Sequence, residues 1–246
     1  MTANDDELAR ARRYYDAFAP TYERGRDGHG RYHDLLDDAE VGFAARWARD
    51  RELLEVGCGT GLLLRRFSAI ARRAVGVDLS PKMLERARGR ALQVVEGSAT
   101  DLPFADASFD VAVSFKTLSH VPDLGRALAE MARVVRPGGA LIVELYNPRS
   151  LRAFLKRALP AGRVGEGTER DVLCRYDDRR ALERVLPRGY SIASVRGVRV
   201  LTPAARILDL PLVGPLVAAA ERALEDTAIA ANFGGFVIYA LVDDGR

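Results

Sequence analysis

Cysteine is scarce: only Cys58 and Cys174 occur in 246 residues, too few for a disulfide framework or a cysteine-ligated zinc cluster. Histidine is equally sparse, at three positions, and no group of Asp, Glu or His stands at ligand spacing, so no metal site is expected. Long hydrophobic runs are missing as well. The most apolar late stretch, Ile207 to Ala220, is interrupted by Asp209, Pro211, Gly214 and Pro215 and is too short to span a bilayer. Near the N-terminus, Asn4-Asp5-Asp6-Glu7 lacks the basic and apolar regions of a signal peptide, which makes cytoplasmic residence the expectation. An excess of one charge is absent too, since the net charge is only +3 although the pI is about 9.0. Arginine far outnumbers lysine, yet runs such as Arg10, Arg12, Arg13 or Arg86, Arg88, Arg90 fall at helical spacing beside acids and read as solvated faces. A dedicated RNA or DNA surface is not expected. No internal repeat or low-complexity segment is apparent.

What is present is 48% hydrophobic residues, enough for one large α/β core with an appendage rather than two equal domains. The most informative segment is Leu53-Leu54-Glu55-Val56-Gly57-Cys58-Gly59-Thr60-Gly61. Its β-prone run from Glu52 to Val56 ends in glycines, and Leu62, Leu63, Leu64 and Phe67 then begin a helical pattern. Strand, tight loop and helix therefore follow in order. Glycines let the backbone approach a ligand without a Cβ in the way, and the free N–H groups of the next helix face it. A dinucleotide fingerprint would need glycine at the sixth position, where Leu62 stands, and this argues against NAD.

Glu55 and the alternating glycines resemble the first motif of the class I S-adenosylmethionine (SAM)-dependent methyltransferases, an acid, one residue, then G-x-G-x-G. The resemblance implies that Glu55 helps hold the amino acid end of the cofactor, that Gly57 and Gly59 pack against it with Cys58 between them, and that Gly61 allows the close turn. Ala74-Val75-Gly76-Val77 is a second short strand closed by Asp78. In nucleotide folds an acid there accepts from both ribose hydroxyls. Helix capping is the other reading of Asp78, but Ser80, just before Pro81, is better placed for that. Leu79 and Met83 would lie against the adenine, or simply pack in the core. Gln93-Val94-Val95 leads into Glu96-Gly97-Ser98-Ala99-Thr100-Asp101-Leu102-Pro103-Phe104, which resembles the adenine-edge segment G-D-A-x-x-L-P-F. Ser98 replaces the usual aspartate, so its hydroxyl accepts from the adenine amino group only as a neutral group, while the Ala99 N–H is a donor to the ring. Weaker cofactor binding is expected from this departure. Phe115, just after the next strand, is assigned to the cofactor by the same resemblance.

Phe109 to Ser114 is the fourth strand, Leu124 to Val135 a helix stopped by Arg136-Pro137-Gly138-Gly139, and Ala140 to Leu145 the fifth strand. Asp177 to Leu186 reads as a helix, Tyr190 to Leu201 as a sixth strand and Gly235 to Val242 as a seventh. The expected fold is α/β: a doubly wound, seven-stranded, mostly parallel Rossmann-like sheet with an antiparallel terminal hairpin and a helical lid. Residues 1–47 form the N-terminal helical lid segment, and 48–246 the core, with a helical insertion over 202–233. Two helices broken near Pro211 to Pro215 are expected there. Ahead of the core, Tyr15-Asp16-Ala17-Phe18-Ala19-Pro20-Thr21-Tyr22-Glu23 is similar to a tyrosine-bearing segment that many small-molecule methyltransferases place over the cofactor. Tyr22 would reach the ligand carboxylate and Tyr15 would line the substrate mouth, with helix packing as the alternative; Glu23 departs from the family's usual aspartate.

A methyl group on a sulfonium is already activated, so a general base is needed only for acceptors that must lose a proton. His120, in Leu118-Ser119-His120-Val121-Pro122-Asp123, is the base candidate by position, though a structural histidine is frequent there in the family; His29 and His33 are weaker candidates. Tyr146 and Asn147 end the fifth strand and are placed to face the acceptor. Asn147-Pro148-Arg149 lacks the second proline and aromatic of the amino-methylating N-P-P-Y type, which disfavours base methylation on nucleic acid. The function implied is methyl transfer from SAM, leaving S-adenosylhomocysteine (SAH), to a small, apolar or amphiphilic metabolite. An RNA methyltransferase and a SAM-binding protein without turnover are the alternatives. The partner expected is thus a small-molecule acceptor, and the apolar insertion leaves a homodimer face open.

Overall fold

The computed structural model describes residues 3–24, 30–158, 163–164, 167–168, 173–202 and 204–245. Five parallel strands occupy one side of the sheet: β1 (Glu52–Val56), β2 (Arg73–Asp78), β3 (Val94–Glu96), β4 (Phe109–Ser114) and β5 (Val135–Tyr146). Between them run α3 (Leu62–Ser68), α4 (Pro81–Arg88) and α5 (Leu124–Val134), preceded in the chain by α1 (Ala3–Phe18) and α2 (Gly30–Ala48). After β5 come α6 (Leu151–Ala158), a minimal hairpin of β6 (Arg163–Val164) and β7 (Gly167–Thr168), α7 (Arg179–Glu183), β8 (Tyr190–Val198), α8 (Val213–Leu224), α9 (Ala228–Phe233) and β9 (Phe236–Asp243). The sheet order is β3-β2-β1-β4-β5-β9-β8, with β9 antiparallel to both of its neighbours. The expected seven-stranded sheet and terminal hairpin are present.

Alternation along each strand sends side chains to opposite faces, and here both faces are covered. Leu53, Val111, Val113 and Ile142 pack with Leu35, Phe43 and Phe67 of α2 and α3. Leu54, Val56, Ala112 and Leu141 pack with Leu128 and Met131 of α5 on the other side. Leu54 is fully buried, so Leu54→Ala would cost about 2–5 kcal/mol. Order reverses between β1 and β4: successive strands run outward from β1 to β3 on one side and from β4 to β5 on the other. That reversal opens a crevice at the carboxyl ends, where ligands bind in doubly wound sheets.

Three segments differ from the sequence expectation. Arg136-Pro137-Gly138-Gly139 is not a loop between helix and strand: α5 passes straight into β5, and these residues form a bulge opposite Asp110, between the Phe109↔Val135 and Val111↔Ala140 pairs. The turn chemistry was legible, with Gly138 at φ 77°, but pairing on both sides of the bulge absorbs it into the strand. The insertion is three helical pieces rather than two, a 3-10 turn at Ala205–Asp209 followed by α8 and α9, and Pro215 lies in the first turn of α8, where it needs no hydrogen-bonded N–H. Arg86 and Arg90 are not plain solvated charges. Arg90 forks onto the Glu23 carboxylate at 2.9 and 2.7 Å and reaches the Thr60 carbonyl, while Arg86 donates to the Ala19 carbonyl. Together they hold the turn after α1 against α4.

Candidate functional site

A cavity of about 570 Å³ opens on the crevice between β1 and β4. Its floor is the glycine loop. Gly57 sits at φ 77°, and a Cβ there would stand 2.2 Å from Thr117 Cγ2, so only glycine lets β1 end against the segment that follows β4. Gly59 differs: at φ 53° its missing Cβ points to open space, leaving bare backbone on the cavity. Gly57 and Cys58 donate their N–H groups to the Val77 carbonyl at 2.7 and 3.1 Å, which fastens the loop to β2.

Asp78 ends β2 and receives backbone N–H groups on both oxygens, Gly59 on Oδ2 at 2.8 Å and Ser80 on Oδ1 at 2.9 Å. Burial raises its pKa despite those donors. Ser80, not Asp78, caps α4, accepting from the Met83 N–H at 3.2 Å. Glu55 is buried and lines the cavity, and among the described residues its Oε2 has no hydrogen-bond partner. Burial first, and then the Glu40 charge, push its pKa well above the usual carboxylate range.

Every cofactor residue expected from the sequence lines this one cavity except Gly61: Tyr15, Tyr22, Glu55, Gly57, Cys58 and Gly59 on one side, Asp78, Leu79, Met83, Ser98, Ala99 and Phe115 on the other. Gly61 stays off the wall because it is the left-handed N-cap of α3 at φ 82°, with Leu92 and Ala87 packed over it. Its work is the turn, not ligand contact. Met83 is also nearly fully buried, so cavity wall and core packing coincide there. The Ser98 hydroxyl turns back on its own loop, accepting from the Thr100 N–H at 3.2 Å and lying 2.9 Å from Thr100 Oγ1.

α1 roofs the cavity with Leu8, Ala11, Tyr14, Tyr15 and Phe18. It is tethered by Asp16, which accepts from Ser80 Oγ at 2.6 Å and the Lys82 N–H at 3.3 Å. No described residue of the insertion lines the cavity. The 3-10 turn packs on α2, α8 packs on that turn, and α9 lies on β8, so the insertion covers the core edge and says nothing about the acceptor's polarity.

His120 lies on the cavity wall, in a 3-10 turn. A carbonyl can only accept, so the 2.6 Å contact with the Leu173 oxygen puts the proton on Nδ1 and leaves Nε2 to accept from the Tyr146 hydroxyl at 3.2 Å. Tyr146 faces the cavity, but Asn147 does not. Its amide donates to the Asn232 carbonyl and its oxygen accepts from the Arg149 N–H, because the chain turns there into α6. His33 lies on α2 against Tyr32, away from the cavity wall, and His29 lies outside the described residues.

Sequence reasoning missed a buried ionic group behind the loop. Lys116, at φ 56°, reaches Glu40 Oε1 at 2.8 Å, with Asp37 at 3.8 Å. Burial opposes the ammonium, but Glu40, Glu144 and Asp37 outweigh it and keep the pKa above its ordinary value. Glu144, buried on β5, has its pKa pushed well up by burial and by the Glu40 charge. Glu40 and Glu144 stand on an amphipathic helix and a buried strand with nothing local to mark them. Also unforeseen on the wall were Thr117, Arg152 and Cys174. Among the described residues no group of His, Cys, Asp and Glu could hold a metal ion, and no helix is long and apolar enough to cross a membrane.

Residues 54–143, from β1 through β5, match the family model described as a methyltransferase domain. Over this stretch the chain is similar to the class I SAM-dependent methyltransferases. It is 34% identical over 175 residues to 27-O-demethylrifamycin SV methyltransferase of Amycolatopsis mediterranei, a match covering 61% of this chain and 64% of that one. It is 38% identical over 119 residues to the demethylmenaquinone methyltransferase of Tropheryma whipplei, covering 44% and 50%. The chain thus spans less than two thirds of the length of these curated relatives. Among solved structures, a SAM-dependent methyltransferase of Thermotoga maritima superposes with a TM-score of 0.67 at 22% identity, over 92% of this chain and 98% of that one. The [4+2]-cyclase SpnF does so with a TM-score of 0.57 at 26% identity, over 84% and 81%. SAM is the cofactor of the methyltransferases to which this stretch is similar.

Proposed function

We propose that this protein moves the methyl group of SAM to an oxygen, nitrogen or carbon of a small molecule. One observation carries the reading. The buried Glu55 carboxylate, whose Oε2 has no hydrogen-bond partner among the described residues, lines the same cavity as the Asp78 carboxylate, with the bare backbone of Gly57 to Gly59 between them. Those groups suit an ammonium and a ribose diol at either end of one nucleoside. Leu79 and Met83 offer a flat apolar wall for the base, Ser98 and Ala99 its polar edge, and Phe115, Tyr15 and Tyr22 close the amino acid end.

When bound, SAM supplies a methyl group already activated on a sulfonium. The protein's part is then to align the acceptor and exclude water, for which positioning alone is worth roughly 7–11 kcal/mol. Tyr15, His120 and Tyr146 surround the space beyond Glu55, and α1 closes it. His120 Nε2, with its tautomer fixed by Leu173, is the proton acceptor for an acceptor hydroxyl, and Tyr146 is the group it would have to release. The small-molecule relatives support this reading: the one acts on a demethylrifamycin, the other on a demethylmenaquinone, by name.

The test is calorimetry with SAH, followed by incubation with methyl-labelled SAM and a metabolite extract. Association with SAH and label in a small molecule are expected. Label only in RNA, or binding with no label transferred to anything, would overturn the reading.

A further inference from the structure

The far end of the cavity holds a positive charge that no carboxylate among the described residues neutralises. Arg152, in the first turn of α6, lines the cavity, and its Nη1 is buried with no hydrogen-bond partner. Several other arginines are held by carboxylates: Arg133 by Glu130 and Asp106, Arg136 by Glu52 and Asp110, Arg175 by Asp177, Arg196 by Asp226. Among the described residues none pairs with Arg152. Its guanidinium instead lies beside two adjoining rings, 5.0 Å from the Tyr146 centroid and 5.3 Å from that of Phe236.

Among the described residues the nearby acids are already engaged. Glu144 has its pKa pushed well up by burial and by the Glu40 charge, Glu40 is paired with Lys116, and Glu221 accepts from Val200, Leu201 and Thr202. Burial first, and then the Arg152 charge, press the Arg199 pKa down. An unpaired buried guanidinium N–H is costly, and its fork matches a carboxylate with two parallel hydrogen bonds.

Position assigns this group to the acceptor. Strands lie about 4.8 Å apart, so β5, which leads into α6, ends roughly 10 Å beyond the glycine loop of β1 and roughly 14 Å beyond Asp78 on β2. We infer that Arg152 anchors a carboxylate of the methyl acceptor, holding a flat, conjugated acid against Tyr146 and Tyr15 with its nucleophilic atom toward Glu55 and Phe115. This rests on the methyl-transfer reading above for the word acceptor, but the anion site stands on Arg152 alone.

Benzoate and benzamide are the probes, being alike in shape and different in charge. Calorimetry on the full chain, with and without saturating SAH, is expected to show benzoate binding at least about tenfold more tightly than benzamide, as a charge-assisted hydrogen bond requires. Arg152→Gln should abolish that preference and leave SAH affinity unchanged, with a melting curve to confirm folding. Arg152→Lys, which keeps the charge and the stem but not the fork, should retain part of the preference, and it decides the matter if the glutamine variant does not fold. Equal binding of the two probes to the unaltered chain, or a preference that survives Arg152→Gln or is untouched in Arg152→Lys, overturns the proposal. So does a tenfold loss of SAH affinity in either variant, which would give Arg152 to the cofactor's own carboxylate. If SAH fails to bind the unaltered chain, the cofactor assignment falls while the titrations without SAH still judge Arg152.

Discussion

The Gly59 N–H donates to Asp78 Oδ2 at 2.8 Å, so the carboxylate that closes β2 also fixes the middle of the glycine loop on β1. Its second oxygen takes the Ser80 N–H at the start of α4. Three segments of the cavity rim are thus set by one side chain. Asp78→Asn keeps the shape but loses the charge and one acceptor. SAH affinity is expected to fall roughly 10- to 150-fold, the range for a hydrogen bond to a charged group, and stability to fall by about 1–3 kcal/mol because one backbone N–H loses its acceptor. Calorimetry and a melting curve check this, and unchanged affinity would refute it.

Gly57 and Gly59 should fail in different ways. Gly57→Ala pays about 1–2 kcal/mol for a left-handed L-residue and drives its methyl into Thr117 as well, so its loss of stability in urea should exceed that figure. Gly59→Ala has only the backbone cost, yet its methyl enters the cavity, and SAH binding should drop more than stability does. The reverse ranking in urea melts would show the loop is not built as described.

Burial raises the Glu55 pKa, as it does those of Glu144 and Glu40. Folded protein therefore keeps protons that the unfolded chain gives up near the ordinary carboxylate value, about 4.3. The stability these three groups contribute is fully present below that pH and declines as pH rises toward the folded-state values, opposite in sign to the lowered carboxyls such as Glu130 and Asp226. Binding of the cofactor's ammonium needs Glu55 ionised, so SAH should bind more tightly as pH rises through the same window and should release protons. Calorimetry at neutral pH in two buffers of different ionisation heat measures this. Proton uptake, or release undiminished in Glu55→Gln, would contradict it.

The roof depends on Asp16. Asp16→Ala removes the acceptor for Ser80 Oγ and the Lys82 N–H, which should speed proteolytic cleavage within α1 and weaken SAH binding, leaving the sheet's melting transition in place. Cleavage at an unaltered rate would mean that Tyr14, Tyr15 and Phe18 hold α1 down unaided.

Ser98→Asp supplies two oxygens where one is now turned to Thr100. One can keep that turn while the other accepts from the adenine amino group, and SAH should bind about fivefold more tightly, the gap between a neutral and a charged acceptor. Unchanged or weaker binding in calorimetry would count against the adenine-edge role.

Much of this site was written in local sequence. Glu55, the alternate glycines and Asp78 are read at once because a turn needing left-handed backbone and an acid closing a strand each leave a residue-level mark. Ser80-Pro81 announced its helix for the same reason. By contrast, Arg136 to Gly139 carried a correct turn signal whose outcome was decided by β4 and the ladder on either side. Lys116, Glu40 and Glu144 meet only after three distant elements pack, and charges on an amphipathic helix look solvated until a partner covers them. Arg152 and Asp16 belong to the same class. The insertion misled for a different reason: apolar helices say that something is to be covered, not what.

α1 is fastened by polar contacts at its edges, with Asp16 on the α4 cap, Arg12 on Glu96 at 2.7 Å, and Glu23 under Arg90 just beyond its end. Such latches weaken with ionic strength, whereas greasy ones tighten. On the proposed reading the spent nucleoside leaves past this helix, so turnover limited by product departure would quicken in moderate salt, and the kinetics of the whole chain would carry the signature of one helix unbuckling.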